Sequence, residues 1–303
     1  MKPKSILRSV LRGVQRSLRR RPRIVMTLLC RDEEDIVGCH VAYHLAQGVD
    51  FVIATDNASL DRTPELLERF ARLGKLHLIH EPSLTHDQAV WVTRMAQMAA
   101  REHGADWVIN SDADEFWFSS RGTLREALRA VPRRTDCLLV PRFDMVPARD
   151  TGRPFYEAML AYGSDGKTVQ GRPLPRKACH RAYRDIRVAD GNHHVRRPRH
   201  AVVEESDHPL QILHFPIRSL AQLERKVRQG AEALQANTRV SRATGRHWHD
   251  LYRDYLLTGR LEEYYNERAF APDELAAGIA SGRFVEDTRI RDALRRLERE
   301  LPA

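Results

Sequence analysis

The sequence has no apolar run of about eighteen residues, the length that a membrane-spanning helix requires. Its N-terminus also lacks the apolar core of a signal peptide, so we expect a cytosolic protein by default. Cysteine is scarce, and the four cysteines lie far apart, without the paired spacing of a zinc site or the density of a disulfide scaffold. These absences leave a globular protein of ordinary composition, and 303 residues are enough for a full hydrophobic core.

Acidic residues are absent from the first 23 positions, which hold only basic charges. Ile6, Val10, Val14 and Leu18 recur every four positions there, so a helix over residues 1–22 would carry one apolar stripe and a cationic remainder. Such an arm could lie on an anionic membrane surface, or it could be a solvated or packed segment. The net charge of +9 likewise fits nucleic acid, a lipid surface or a phosphorylated substrate as partner.

Strand-like apolar runs alternate with helical periodicity between residues 24 and 109. Strands are predicted over 24–29, 51–54, 76–79 and 107–109, with helices between them. This βαβ pattern indicates a parallel sheet covered on both faces, in which ligands bind beyond the carboxyl ends of the strands. The polar segments after the first, second and fourth strands should therefore meet on one edge. Glu33, Glu34 and Asp35 precede the first helix, and we expect most of them only to serve its dipole.

The stretch from Ala105 to Phe118 contains the strongest candidates for functional residues. A buried strand is followed abruptly by Asp112, Asp114 and Glu115, and carboxylates held together in this way require a cation among them. Hard oxygen ligands at this spacing suit Mg²⁺ or Mn²⁺, which binds through one or two carboxylates plus substrate phosphates, so a nucleotide diphosphate is the implied substrate. The alternative is that Asp112 and Asp114 only cap the next turn.

Four segments occur in the order seen in glycosyltransferase family 2-like proteins of the GT-A fold. They are Arg31-Asp32-Glu33-Glu34-Asp35-Ile36, Tyr43-His44-Leu45 with Gly48-Val49-Asp50, Thr55 to Thr63, and Asp112-Ala113-Asp114-Glu115-Phe116. The Asp-x-Asp-Glu-Phe form of the last motif is also similar to the family 92 enzymes. Later segments, Leu213-His214-Phe215-Pro216, Arg218-Ser219 and Lys226 to Gly230, resemble the same branch.

The resemblance covers roughly residues 23–235 and implies an α/β fold of the GT-A type, a mostly parallel sheet flanked by helices. We predict a basic arm over 1–22, a glycosyltransferase domain over 23–235 and a helical extension over 236–303. Within the domain, the donor half is expected at about 23–140 and the acceptor half at about 141–235.

The resemblance also implies roles for individual residues. Nucleotide contacts are expected from Thr27, Arg31, Asp56, Asn57 and Asp112. Metal ligands are expected from Asp112, Asp114 and His214, with His194, beside His193, as the alternative to His214. Asp144 and Asp190 are the candidates for a catalytic base. Positive charge for diphosphate oxygens or an anionic acceptor could come from Arg172, Arg176, Lys177 and Arg181, which could equally form a solvated face.

The expected function is metal-dependent transfer of a sugar from a nucleotide diphosphate, with UDP as the expected nucleotide. The acceptor would be a saccharide or lipid-linked glycan, transfer would be inverting, and the pathway would be cell-surface polysaccharide or lipopolysaccharide synthesis at the inner membrane face. A nucleotidyltransferase is the alternative enzyme, but Arg31-Asp32-Glu33-Glu34 replaces the glycine-rich loop that it would carry. A basic nucleic-acid-binding protein is the non-enzymatic alternative; sparse aromatics argue against it, and no nucleic acid is expected.

Overall fold

A computed structural model describes residues 21–83, 87–149, 152–167, 173–236 and 246–300. The predicted amphipathic helix of the basic arm lies outside these residues, as does Arg172. None of the helices in the described ranges is both long and apolar enough to cross a membrane. All four cysteines are free, and three of them are buried, as expected for incidental thiols.

A seven-stranded sheet forms the centre of the molecule, with the strand order β12-β6-β9-β4-β1-β2-β3. Six of these strands run in the same direction and β9 runs against them. The strands, in chain order, are β1 (Ile24–Cys30), β2 (Phe51–Asp56), β3 (Leu76–His80), β4 (Trp107–Asp112), β5 (Glu115–Ser119), β6 (Cys137–Val140), β7 (Arg142–Asp144), β8 (Ala161–Gly163), β9 (Lys177–Arg181), β10 (Arg187–Val188), β11 (Val195–Arg196), β12 (Glu204–Glu205), β13 (Leu210–His214) and β14 (Phe284–Glu286).

Helices connect the parallel strands and form the C-terminal portion. They are α1 (Val37–Ala46), α2 (Thr63–Arg72), α3 (Gln88–Arg101), α4 (Leu124–Ala130), α5 (Phe155–Ala158), α6 (Leu220–Ala236), α7 (Arg246–Leu251), α8 (Leu261–Asn266), α9 (Pro272–Ala280) and α10 (Arg289–Glu300), with a 3-10 turn at Asp190–Asn192 and a π-helical turn at Tyr252–Leu256.

Both faces of the sheet are buried, which explains why its strands read as continuous apolar runs. In β1, Met26 packs with Val41 of α1 on one face, whereas Val25 packs with Met95 of α3 on the other. Successive side chains of a strand point to opposite faces, so each strand serves both layers. The predicted α/β class with a mostly parallel sheet flanked by helices is confirmed.

A second, three-stranded sheet of order β5-β13-β7 adjoins the carboxyl edge of the first. The register pairs His214, at the end of β13, with Glu115, at the start of β5, and with Asp144, at the end of β7. The sequence predicts a strand over 211–215, which the structure confirms as β13, but it does not predict this sheet, because β7 lies in a segment of weak periodicity and the strands pair over long sequence distances. It brings three polar side chains to the end of β4.

The reversed strand β9 lies between β4 and β6. The sequence predicts a short strand near 178–183, and the structure places one at Lys177–Arg181. Its first residue, Lys177, therefore lies beside the carboxyl end of β4. Residues 246–300 are largely helical, as predicted, although β14 adds a short antiparallel pairing with β8.

Candidate active site

The turn between β4 and β5 is the centre of the site. Asp112 ends β4, Ala113 and Asp114 form the turn, and Glu115 begins β5. The turn is fixed to the second sheet because the amide of Phe215 donates to the carbonyl of Asp114 at 2.8 Å. Asp114 is only 4% exposed and Glu115 is fully buried, so both carboxylates need compensating charge.

Charged side chains around this turn form a series in which acids and bases alternate, and each contacts the next. We call it the ion-pair series. In order of contact its members are Asp112, Lys177, Glu115, Arg142, Asp144, His214, Asp114, Lys226, Glu33, Arg218 and Asp35. Six carboxylates thus alternate with four permanent cations and one histidine.

Lys177 joins the first carboxylate of the series, Asp112, to the next one, Glu115. Its Nζ atom lies 2.6 Å from Oδ2 of Asp112 and 2.8 Å from Oε1 of Glu115. Burial opposes the charge of Lys177, but the two carboxylates outweigh this effect and raise its pKa. Burial also raises the pKa of Glu115 despite Lys177. The sequence suggests that Lys177 binds an anionic ligand or lies on a solvated face. The structure shows that it is an internal counter-ion of Asp112 and Glu115.

The other positively charged residues of that group lie elsewhere. Arg181 stacks over Trp107, 4.5 Å from the ring centroid, and its Nε donates to the carbonyl of Thr135. Arg176 is exposed and donates to the carbonyl of Leu139. Of the described members, only Lys177 contacts the acidic turn through an ion pair.

His214 occupies the middle of the series, between two carboxylates. Its Nδ1 lies 2.7 Å from Oδ1 of Asp144, and its Nε2 faces Oδ2 of Asp114 at 3.4 Å. Burial disfavours the charged imidazole, but Asp114 and Asp144 raise its pKa above the ordinary value even though Arg142 opposes them. Conversely, His214 and Arg142 lower the pKa of Asp144 against the effect of its burial.

Lys226 and Arg218 bring the loop after β1 into the site. Lys226 Nζ lies 2.6 Å from Oδ2 of Asp114 and 3.7 Å from Oε1 of Glu33. Arg218 donates to Glu33 and, at 2.6 Å, to Oδ2 of Asp35. The first turn of α1 contains no acidic residue. The expectation that these carboxylates only serve the helix dipole is therefore wrong for Glu33 and Asp35, which are ion-paired members of the site.

Opposing effects set the pKa values at this end. Burial favours protonation of Asp114, but Lys226, His214 and Arg218 outweigh it and lower the pKa of this carboxyl well below its usual value. For Glu33, burial prevails over Lys226 and Arg218, and its pKa is raised. Asp114 is thus a strongly ionised acceptor of cations.

Two buried histidines of α1 support the acidic turn. His44 Nδ1 donates to the carbonyl of His40 at 2.8 Å, so its Nε2 is free to accept from the amide of Trp117 at 3.0 Å. His40 Nε2 lies 3.1 Å from both Ser111 Oγ and the carbonyl of Glu115. Burial lowers the pKa of His40 to about 4 and that of His44 well below its ordinary value, which keeps both rings neutral.

The residues predicted to contact the nucleoside differ in their burial and in their hydrogen-bond partners. Asp56 ends β2, and its buried Oδ1 has no hydrogen-bond partner in the described structure. Asn57 follows it and donates to the carbonyls of Glu81 and Ser83. Thr27 is 1% exposed, and its hydroxyl donates to Asn110 Oδ1 at 2.9 Å, so the structure does not bring it to the surface of the edge.

Arg31 follows β1 directly, in the loop beside β2. Its Nε atom is buried without a hydrogen-bond partner in the described structure, and its nearest acid is Asp32 at 3.8 Å. Asp112 Oδ1 accepts from Asn192 Nδ2 at 3.1 Å and from Gln88 Nε2 at 3.4 Å. The carboxylate of Asp112 therefore faces the 3-10 turn before His193 as well as Lys177.

Both base candidates already have partners. Asp144 Oδ1 contacts His214 and, at 3.2 Å, Nε of Arg142. Asp190 is exposed, and its Oδ1 accepts from the amide of Ala89 in the first turn of α3. Asp144 belongs to the site and Asp190 lies beside it, but neither is shown to act as a base.

Only one of the candidate histidines contacts Asp114. His214 does so, as described, whereas His193 Nδ1 donates to the carbonyl of Arg176 at 2.7 Å. His194 is exposed, and its carbonyl accepts from the amide of Ala189. The structure therefore brings His214 to the predicted metal ligand Asp114 and does not bring His194 there.

The ion-pair series suits a divalent cation at Asp114 and His214. A ligating imidazole must be neutral, and with His214 neutral the six carboxylates exceed the four permanent cations by two charges. Asp144 behind His214 completes the carboxylate–imidazole arrangement that orients metal ligands in proteins. No set of three His, Cys, Asp or Glu side chains converges within the described ranges, so the remaining ligands would be phosphate oxygens or water.

Sequence comparison relates part of the chain to a known class of enzymes. Residues 30–144 match the family model of glycosyltransferase family 92. The chain is similar to glycosyltransferases. The match covers less than half of the chain and includes every carboxylate of the ion-pair series. It bears out the prediction of a glycosyltransferase. Among curated proteins, no sequence matches the chain significantly.

Solved glycosyltransferase structures resemble the chain distantly. S. aureus TarS 1-349 is 13% identical, with 74% of each chain covered and a TM-score of 0.40. The mannosyltransferase PcManGT from Pyrobaculum calidifontis, in complex with GDP-Man and Mn²⁺, is 15% identical over 96% of this chain and 93% of that one, with a TM-score of 0.41. Glucosyl-3-phosphoglycerate synthase from Mycobacterium tuberculosis, with Mn²⁺ and UDP, is 17% identical over 41% and 44%, with a TM-score of 0.29. The fold assignment rests on the strand order given above.

Proposed function

We propose that the protein transfers a sugar from a nucleotide diphosphate sugar, with a divalent cation bound at Asp114 and His214. The observation that carries this proposal is the ion-pair series, in which Nε2 of His214 faces the buried carboxylate of Asp114 and the charges favour one further divalent cation. The family 92 match over the same carboxylates supports the reaction class. The carboxyl edge of the parallel sheet is also where such folds bind nucleotides.

Each residue of the site would have a separate role in binding the nucleotide or the cation. Asp56 and Asn57 after β2, with Arg31 after β1, would bind the nucleoside. Asp114 and His214 would hold Mn²⁺ or Mg²⁺, which when bound supplies positive charge against the departing diphosphate. Asp112 would lie near the ribose, because it adjoins the cation site while facing Asn192 and Gln88. Thr27 is better placed to hold Asn110 within the sheet than to contact the ligand.

The finer assignments form part of the same proposal. The donor nucleoside is uridine, as the family resemblance implies, and the acceptor is a saccharide or lipid-linked glycan of a cell-surface polysaccharide pathway. Transfer is inverting, with Asp144 or Asp190 as base. The basic arm places the enzyme at an anionic inner membrane face, and the domain boundaries at residues 22 and 235 separate arm, transferase domain and extension.

A thermal-shift experiment tests the core of the proposal. Ligands that bind the native state raise its melting temperature, so UDP with Mn²⁺ should stabilise the protein more than UDP alone. This cation-dependent increment should disappear in Asp114→Asn. Asp273→Asn, which removes an exposed carboxylate from the first turn of α9, should retain it. An equal increment in Asp114→Asn and the wild type would contradict the assignment of Asp114.

A further inference from the structure

We propose that Lys226 is an internal cation that competes with the divalent ion for Asp114, so that the ion binds tightly only together with the nucleotide diphosphate. This inference rests on the proposed function, because it assumes that Asp114 and His214 form the cation site. It assigns to Lys226 a role that neither the fold nor the family match gives it.

Lys226 and the divalent ion would compete for a single carboxylate oxygen. Oδ2 of Asp114 lies 2.6 Å from Nζ of Lys226 and 3.4 Å from Nε2 of His214. The oxygen that faces the imidazole, and would share a cation with it, is therefore the oxygen that accepts from the ammonium group. Two cations in contact with one buried oxygen repel each other strongly, so the divalent ion must displace Lys226.

Lys226 has the most exposed side chain of the four permanent cations in the series. Its side chain is 28% exposed, whereas those of Lys177 and Arg218 are each 2% exposed. Lys177 and Arg218 also contact two carboxylates each at short range, whereas the second contact of Lys226, with Glu33, is 3.7 Å long. Lys226 can therefore move away from Asp114 without unpairing a second carboxylate at close range.

The displaced ammonium group needs a new anionic partner near the ion. A nucleotide diphosphate supplies one, because its oxygens bind both the divalent ion and a lysine. Without the nucleotide, Lys226 would stay close to a doubly charged ion with only the distant contact to Glu33. The diphosphate and the ion should consequently tighten each other's binding, and by thermodynamic linkage the factor is the same in both directions.

Binding measurements on the full chain test this inference. Mn²⁺ affinity is measured by electron paramagnetic resonance of the free ion, with and without saturating UDP, and UDP affinity is measured by calorimetry with and without Mn²⁺. In Lys226→Gln, Mn²⁺ alone should bind at least about tenfold more tightly than in the wild type, because the competing charge is gone. The factor by which UDP tightens Mn²⁺ binding should fall correspondingly.

Two variants control for charge and for helix α6. Lys226→Arg keeps a cation at the position and should retain the wild-type coupling between UDP and Mn²⁺. Arg228→Gln removes a different cation from the same helix. Arg228 pairs with Glu224 at 2.9 Å and lies outside the site. This variant should leave both affinities unchanged. Melting temperatures of all variants confirm that they fold.

The outcomes separate this inference from the function on which it rests. If Lys226→Gln binds Mn²⁺ alone no more tightly than the wild type, Lys226 does not compete and the inference is wrong, while cation-dependent UDP binding would still support the function. If the wild type binds UDP but Mn²⁺ neither alone nor with UDP, the cation site fails and the inference fails with it.

Discussion

Oδ1 of Asp144 lies 2.7 Å from Nδ1 of His214, on the side of the ring opposite Asp114. The imidazole therefore spans two carboxylates, and the one behind it determines which ring nitrogen carries the proton. When the ring is neutral and Nδ1 donates to Asp144, the lone pair of Nε2 is directed toward Asp114 and is available to a cation. Such outer partners orient metal-binding histidines and increase their basicity.

Asp144→Asn should separate the two roles considered for this residue. If Asp144 orients His214, the variant should lose about 10- to 100-fold in Mn²⁺ affinity measured with UDP present. If Asp144 acts only as the base, turnover should fall while Mn²⁺ and UDP affinities stay as in the wild type. Asp273→Asn serves as the control, since Asp273 is an exposed carboxylate of α9 that lies outside the site.

His44→Phe should loosen the acidic turn while preserving the ring packing against Phe116, whose centroid lies 5.9 Å from that of His44. The variant removes the acceptor for the amide of Trp117. We expect faster hydrogen exchange in a peptide that spans β4 and β5, together with weaker UDP binding in the presence of Mn²⁺. His180→Phe, at an equally buried histidine of β9, is the control. Unchanged exchange in His44→Phe would show that the bond does not hold the turn.

The free energy of unfolding should fall as the pH drops from about 6.5 toward 4. Burial lowers the pKa of His40 and His180 to about 4 in the folded protein, whereas an unfolded histidine titrates near 6.5. The unfolded state therefore binds more protons in this window, so the stability present above pH 6.5 is progressively lost on acidification. Urea unfolding of His180→Asn should show a shallower pH dependence, by up to about 1.4 kcal/mol per pH unit. A slope equal to that of the wild type would mean that His180 is not buried in its neutral form.

Lys177→Met should destabilise the protein by roughly 3–5 kcal/mol, because it removes the nearest counter-ion of Asp112 and Glu115 and leaves Glu115, among its described ion pairs, only the longer one with Arg142. Glu115 is fully buried, so the cost is concentrated there. The double variant Lys177→Met with Glu115→Gln should recover part of the loss in urea unfolding. Lys75→Met, at an exposed lysine before β3, should change stability little. A loss in Lys177→Met that the double variant does not relieve would contradict the pairing of Lys177 with Glu115.

The sequence predicts the first half of the fold well because its signals are local. Strands such as Ile24–Cys30 are apolar throughout since both faces of the sheet are covered, and Asp112 and Asp114 stand out because they follow one of these strands. Thr123 with Glu126 three residues later, a pattern that predicts a capping box, forms one at the start of α4. Each of these features depends on residues only a few positions apart.

The cationic half of the site could not be predicted from local patterns. Arg218 reaches Asp35 across 183 positions, and Lys226 reaches Asp114 across 112. Nothing in the spacing of these residues reports a contact over such distances. The family resemblance did mark the segments that contain Arg218 and Lys226, but it gave them no partners. The predicted domain boundaries remain predictions.

The ion-pair series divides unevenly along the polypeptide. All of its carboxylates lie at or before residue 144, whereas every basic member except Arg142 lies at or after residue 177. A ribosome therefore releases the acids well before their counter-ions. Until the later segment emerges, the nascent donor half carries mutually repelling carboxylates at its sheet edge. The acids at this edge therefore gain their last counter-ions only after the segment that contains Arg218 and Lys226 has been synthesised.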